Sequence, residues 1–570
     1  MIKLLPLGLA LCLFSPVHLR AETSVLDTAP GGGKPDTNAA SAVAPIVPPP
    51  SAGTALLSNG DLKSCTQDSS WPDDWAGAKF PSTSYQTENG QPYFHLVSER
   101  PEQHIQARRV IDLPSGVTAL EITARYRVIG LKRGQFPEDD ARIILEFLDK
   151  VRKPIAAAPP LVFAEDASGW TTISARIAVP EKAEHLMLMP CLYRVQAGTL
   201  DIAEIQVKTL GDPEAKATVE AAAAATAKKI AGETALLEKD LAMPPISPEI
   251  HVSGNKLVTA EGKEVWLQGL NLGNFSIRPD EGHKILWSAH VAIDVWKANV
   301  IRLTVLDSFW FGKGRGTTNS NDFESYRLIC DQVIKIAAAK GAYVVFDLHR
   351  YLTPDESCVT FWKDAAVRYK NNPAVLFDII NEPHDTSWEV WQKGGPVEVK
   401  NKDGTKKIVQ GVGMQTLIDT VRAAGAKNII VAGGLGYAYD LTGVVKGHAL
   451  DDKGGNGIMY ATHFYNWHKG WEAHFMEVAA KYPLLVGECG ADIDKMDFIP
   501  LDQQEDPYTW VPDAIGFIQK NHLNWTAWCF HTRATPNMLL DWDYHTPTPY
   551  WGAFVKDALN GKTYEMKKTR

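Results

Sequence analysis

Residues 375–383 read VLFDIINEP. The run 375–380 is apolar enough to be a strand covered on both faces, and it ends on the polar pair Asn381 and Glu382. Comparable runs recur at 265–270, 300–305, 343–348, 429–432, 458–464, 484–487 and 525–530. The longer connections carry apolar residues at helical spacing, as at 323–340 and 415–424. About eight buried strands alternating with helices over some 300 residues predict a closed (β/α)8 TIM barrel, and the count separates it from an open sheet. In such barrels chemistry sits at the C-terminal strand ends. Arg302 belongs to the second strand, His349 ends the third, Asn381 and Glu382 the fourth, His463 and Tyr465 the sixth, Glu488 the seventh and Trp528 the eighth. A core histidine or an ion pair explains any one of these alone; together they mark one mouth.

Toward the N-terminus the pattern changes. Residues 57–211 contain short alternating stretches (119–128, 142–147, 170–177, 186–192) separated by turn residues, which predict an antiparallel, jelly-roll-like β-sandwich. An Ala-rich run at 212–244 starts with Asp212 as N-cap and Pro213 as the first helical residue, and stops at Pro244 and Pro245. It predicts a helical spacer of about 45 Å. Residues 22–56 are too rich in Ala, Pro, Gly and Ser to pack and read as a disordered tether. Residues 1–21, with Lys3 ahead of an apolar run at 4–14 and a small residue at Ala21, have the layout of a secretory signal peptide, too short to span a bilayer. The expected product is exported, extracellular or periplasmic, without a membrane span, and its catalytic unit is 245–570.

The whole chain has 570 residues, 45% of them hydrophobic, which fits several globular domains and excludes wholesale disorder. With 58 Lys and Arg against 67 Asp and Glu, the net charge of −9 offers no basic surface for a nucleic-acid partner. The 17 Trp supply flat faces suited to stacking on sugar rings. Of the 7 cysteines Cys12 lies in the leader, leaving Cys65, Cys191, Cys330, Cys358, Cys489 and Cys529. No CxxC pair or zinc-like His spacing appears, so neither a metal nor another cofactor is expected. Cys65 and Cys191, near the two ends of the sandwich, are expected to pair, whereas strand alternation turns Cys489 and Cys529 away from the mouth as buried thiols.

The stretches IRL at Arg302, FDLH at His349, IINEP at Glu382, ATHFY at His463 and Tyr465, VGE at Glu488 and TAW at Trp528 resemble, in order, glycoside hydrolase family 5, the cellulases and mannanases of a retaining clan. The resemblance covers about 250–562. It departs where the usual GVN is altered to QGLN (268–271) and where NLGNF (271–275) differs from the commoner Trp-containing versions, a difference that bears on the outer subsites and not on the catalytic centre. It implies that Glu382 is the acid/base and Glu488 the nucleophile. It also implies that Arg302 and Tyr465 keep Glu488 ionised, that Asn381 binds the sugar 2-hydroxyl, that His349 and His463 fix the sugar and the carboxyl network, and that Trp528 floors the subsite. The chemistry agrees: retention needs two carboxyls about 5–5.5 Å apart. At that distance like charges repel by roughly 3 kcal/mol at an effective dielectric near 20, so one stays protonated. NGDLKS (59–64) and PDDW (72–75) look like the opening of carbohydrate-binding jelly rolls, implying a glycan-binding or surface-positioning sandwich.

The expected function is thus hydrolysis of a β-1,4-linked polysaccharide, cellulose or another β-glucan, with endo-β-mannanase or another hemicellulase as the alternative. A barrel that has lost activity and holds glycan passively is the non-enzymatic alternative. Oligomeric state is not encoded in any motif. Trp388, Trp391, Trp467, Trp471 and Trp542 read as packing of barrel loops, and 397–410 reads as a hairpin about an Asp403-Gly404 turn, beside the acid.

Overall fold

The computed structural model describes residues 51–570, apart from 68–69, 78–81, 166, 274–281, 314–321, 401–404 and 497–498. The expected leader, nearly all of the expected tether, the Asp403-Gly404 turn and the end of the NLGNF stretch lie outside the described residues.

Ten antiparallel strands form the N-terminal region: β1 (Ala76–Gly77), β2 (Thr83–Glu88), β3 (Gln91–Ser98), β4 (Gln103–Asp112), β5 (Ala119–Lys132), β6 (Ala141–Leu148), β7 (Pro154–Val162), β8 (Ala167–Ala178), β9 (His185–Val195) and β10 (Ala197–Thr209). They make two five-stranded sheets, ordered β1-β4-β9-β6-β7 and β2-β3-β10-β5-β8. Alternation decides the faces: Leu120, Ile122, Ala124, Tyr126 and Val128 of β5 enter the core between the sheets, while Glu121, Thr123, Arg125 and Arg127 face outward. Cys65 and Cys191 do not pair. Cys65 precedes the first strand and lies 3.1 Å from the Tyr85 hydroxyl, while Cys191 is buried in β9 of the other sheet; the ends of a two-sheet sandwich need not share a sheet.

The helix Asp212–Ala242 follows, capped by Gly211 instead of Asp212, which is its first residue. Most of it faces solvent, yet Glu233, Leu237 and Asp240 are buried against the barrel. Asp240 pairs with His290 at 2.6 Å and Lys340 at 2.8 Å, so the C-terminal half of this helix is docked and is no free spacer.

A hairpin, β11 (Ile250–Ser253) and β12 (Lys256–Thr259), precedes the barrel strands β13 (Gln268–Leu272), β14 (Val300–Val305), β15 (Tyr343–Leu348) and β16 (Val375–Asp378). A second hairpin, β17 (Gly394–Lys400) and β18 (Lys406–Val412), interrupts them before β19 (Ile430–Gly433), β20 (Ile458–Tyr465), β21 (Leu484–Gly490) and β22 (Asn524–Ala527) close the barrel against β13. The expected barrel is therefore present, behind a β-rich N-terminal region. The first barrel strand starts at Gln268 because Val265 bonds back to Leu257 of the hairpin.

Period-two alternation layers the interior. Val345, Leu376, Val431, Met459 and Leu485 fill the bottom, closed by Ile250 and Leu257, while Ile301, Leu303, Val344, Phe346 and Phe377 point outward under the helices. The next inward positions are Arg302, Asp347 and Asp378, all fully buried. Parallel register aligns them: Asn271 lies opposite Arg302, and Asp347 opposite Asp378. The apolar bottom thus gives way to a polar layer beneath the mouth.

The sandwich is joined to the barrel by polar contacts, several of them buried. Arg194 meets Asp557 at 2.6 Å with both side chains buried, Tyr193 donates to the Pro547 carbonyl, and Lys556 and Lys562 reach Glu138 and Glu102. Among the described residues, no helix is long and apolar enough to cross a membrane.

Candidate active site

Strict alternation would turn Glu488 out of the barrel, because Leu485 points in. The β20–β21 register corrects this: Thr462 pairs with Val486 but His463 pairs with Glu488, leaving Gly487 as an extra residue. This one-residue bulge re-aims Glu488 inward and Cys489 outward. Only glycine fits there, since a Cβ on residue 487 would lie 2.7 Å from His463 Nε2.

Arg302 organises the layer. Its Nη1 donates to Glu488 Oε1 at 2.9 Å and to Asn271 Oδ1 at 3.0 Å, its Nη2 donates to Asn381 Oδ1 at 2.8 Å, and its Nε donates to Asp378 Oδ2 at 2.9 Å. Asp347 completes the shell at 3.1 Å. Tyr465 donates its hydroxyl to the other Glu488 oxygen, Oε2, at 2.5 Å. With both oxygens of Glu488 held, its position is fixed.

Asn381 and Glu382 lie in the turn just past β16, tied by backbone bonds from Asn381 N to Leu348 O and from Glu382 N to Arg350 O. Because Arg302 takes Asn381 Oδ1, the amide nitrogen Nδ2 is aimed elsewhere; it is buried and has no partner among the described residues. Glu382 Oε1 meets His463 Nδ1 at 2.9 Å. His349 holds Asp347 through Nδ1 at 2.6 Å, meets the Tyr351 hydroxyl through Nε2 at 3.2 Å, and lies parallel to the Trp528 ring at 5.5 Å. All eight residues singled out by sequence therefore lie in one cluster. Glu382 and Glu488 each have a carboxylate oxygen within 4.8 Å of the other's and of a His463 nitrogen.

Burial pushes both glutamates upward, but unequally. Glu382 is driven well above the carboxylate range by burial and then by the charge of Glu488, while its direct partner is a histidine. Burial also raises Glu488, but the charge of Arg302 and the Tyr465 hydrogen bond oppose it. The proton therefore rests on Glu382. His463 is held well below its usual value by burial and by Arg302, and burial lowers His349 to about 3, so both rings are neutral. Burial lifts Asp347 to about 7 and Asp378 well above the usual range, against the pull of Arg302.

Two groups have metal-ligand spacing among the described residues: Glu382, His463 and Glu488, and Asp240, His290 and Asp294. Each already has its own cation, Arg302 on Glu488 and Lys340 between Asp240 and Asp294. Asn271, Asp347, Asp378 and Tyr351 were not assigned from sequence. Asp347 and Asp378 carried a usable signal, each being a lone acid inside an apolar strand at the inward phase of Arg302's layer. Trp391 and Trp471 are fully buried packing residues, but Trp467 stacks on Tyr465 at 4.9 Å, and Trp542 lines a cavity beside the mouth. The β17–β18 hairpin packs against Thr353 and Pro354, beyond β15.

An eight-stranded barrel with two buried carboxyls in unlike surroundings at its C-terminal mouth defines a class of barrel proteins with a carboxyl pair where barrel chemistry sits. Residues 258–534 match the family model for cellulase, glycosyl hydrolase family 5, and this barrel is a domain of that family. Endoglucanase E-5 of Thermobifida fusca is 25% identical over 301 residues, 49% of this chain and 55% of the relative. Cellulase CelDZ1 of a Thermoanaerobacterium species is 25% identical over 297 residues, 49% of this chain and 69% of the relative. The chain thus spans about half to two thirds of the length of these curated relatives. Among solved structures, the β-glucanase SdGluc5_26A of Saccharophagus degradans aligns at TM-score 0.45 and 22% identity, over 56% of this chain and 94% of its own.

Proposed function

We propose that the chain is a retaining endo-β-glycosidase acting on a β-1,4-linked glucan by double displacement. The observation that carries this is the carboxyl pair itself, with oxygens within 4.8 Å, one glutamate held by Arg302 and Tyr465 and the other protonated by burial. Inverting enzymes need about 6.5–9.5 Å to fit a water between the two groups, whereas this separation suits direct attack.

In the first step Glu488 forms a bond to the anomeric carbon as the glycosidic bond breaks and Glu382 gives its proton to the departing oxygen. In the second, Glu382 takes a proton from water, which displaces Glu488; two inversions make a retention. The Asn381 amide, which has no partner among the described residues, supplies a donor for the 2-hydroxyl, whose hydrogen bond strengthens as charge develops on the ring. Neutral His463 orients Glu382 without claiming its proton, and Trp528 and His349 form the floor. Glucan as substrate is supported by relatives named endoglucanases and cellulases. For the remaining chain the reading is an exported protein whose leader precedes the sandwich, with the sandwich as a glycan-handling domain at 57–211, a helical link at 212–244 and the catalytic unit at 245–570. Reducing-sugar release by the purified chain from carboxymethylcellulose, mixed-linkage glucan, xyloglucan, glucomannan and mannan tests the function. Release from the glucans is expected, and inertness on all of them overturns it.

A further inference from the structure

A cavity of about 510 Å³ lies between the sandwich and the barrel mouth, a size usual for a small-molecule or sugar site. The sandwich lines it with Glu146 of β6 and with Ile155, Ala156 and Ala157 of β7; the barrel lines it with Gly273, the segment 531–534 and Trp542. Glu146 and Ala157 are paired residues of neighbouring strands, on the outer face of the sheet turned to the barrel. The cavity adjoins the catalytic cluster, since a Cβ on Gly273 would stand 3.8 Å from the Trp528 ring.

We infer that this cavity is a glycan subsite built jointly by the two domains, into which a β-glucan chain extends from the Trp528 floor, so that the sandwich takes part in substrate binding within the catalytic cleft. The inference rests on the glucanase reading above. Sugars present an apolar C–H face and a rim of hydroxyls, and the cavity offers a matching pair of surfaces. Half-buried Trp542, braced edge-on by His531 at 4.9 Å, supplies the aromatic wall. Glu146 supplies an acceptor; burial and Asp541 lift its carboxyl to about 7, and no described residue donates to it. A polar group that no described residue donates to, in a cavity of this size, suits a hydroxyl. Arg533 is committed to the Pro154 carbonyl at 2.6 Å and Lys284 sits over the Trp542 ring at 5.2 Å, while Glu146, Asp541 and Asp543 make the site unfavourable for an anion. A neutral glycan is the ligand this chemistry accepts.

The test compares kcat/KM for cellohexaose with that for an aryl cellobioside in the full chain and in Glu146→Ala, Trp542→Ala and Ala157→Trp, the last filling the cavity from the sandwich side. The ratio of the two constants is expected to fall about tenfold in each variant, the effect lying in KM, because only the longer chain reaches the cavity. Should Trp542→Ala misfold, Glu146→Ala and Ala157→Trp, which remove no core side chain, decide. An unchanged ratio in these two overturns the inference while leaving the glucanase reading intact. If the parent chain hydrolyses neither substrate, the glucanase reading itself has failed.

Discussion

Glu382 and Glu488 have the same side chain, and their surroundings alone divide the work. Replacing Glu488 by Ala is expected to abolish turnover on every substrate, since no other described carboxyl receives both Arg302 and Tyr465. Replacing Glu382 by Ala removes the proton donor and the later base, with an expected loss of about 10²–10⁴-fold on polysaccharide. An activated aryl glycoside, whose leaving group needs no proton, still forms the glycosyl intermediate, and azide then restores turnover as a β-glycosyl azide measurable by NMR. An α-azide, or no rescue, contradicts the assignment. The pH profile follows from the same surroundings. Activity needs Glu488 ionised and Glu382 protonated, so kcat/KM rises as pH climbs through the Glu488 value and falls as it climbs through the Glu382 value. Burial raises both, so the bell is displaced upward from the ordinary carboxylate range. In Glu382→Gln, assayed with the activated substrate, the alkaline limb is expected to vanish; its persistence would assign that limb to another group.

At the scale of elements, the strand pair β20–β21 carries the most specific demand. Gly487→Ala forces a Cβ to within 2.7 Å of His463 Nε2, and His463 is the partner of Glu382. A shift of this order costs about 10² in kcat. Circular dichroism is expected to stay native-like, and a variant with parental kcat would show that the bulge does not set the geometry. The barrel strands were legible because continuous apolar runs between helical stretches leave few alternatives, and the polar residues at their ends were legible because the mouth is where a barrel spends its charge. Asp347 and Asp378 were passed over because one acid inside a run such as VLFD reads as noise until the alternation phase is compared across strands. The bulge at Gly487 was invisible because it depends on which residues of β20 face it, and sequence carries no register. The spacing of 265–270 misplaced the first strand by merging it with the segment at Val265 that bonds back to the hairpin sealing the barrel floor.

At the scale of the whole molecule, sandwich, helix and barrel form one packed body. The cavity between sandwich and barrel was not legible, since its walls lie almost 400 residues apart in sequence, Glu146 facing Trp542. The Arg194–Asp557 pair is the most exposed point of this design to mutation, because it is buried on both sides. Asp557→Ala takes the nearest partner from a buried guanidinium and leaves it only Glu102 at 3.9 Å and the charge of Asp139, with an expected destabilisation of about 3 kcal/mol by urea denaturation; a change below 1 kcal/mol would mean that the interface opens to water. The central claim, retention by a carboxyl pair, is tested most directly on the intact chain. Proton NMR following hydrolysis of a soluble β-glucan is predicted to show the β-anomer of the new reducing end first, with the α-anomer growing only at the rate of mutarotation; an α-anomer formed first would contradict the account.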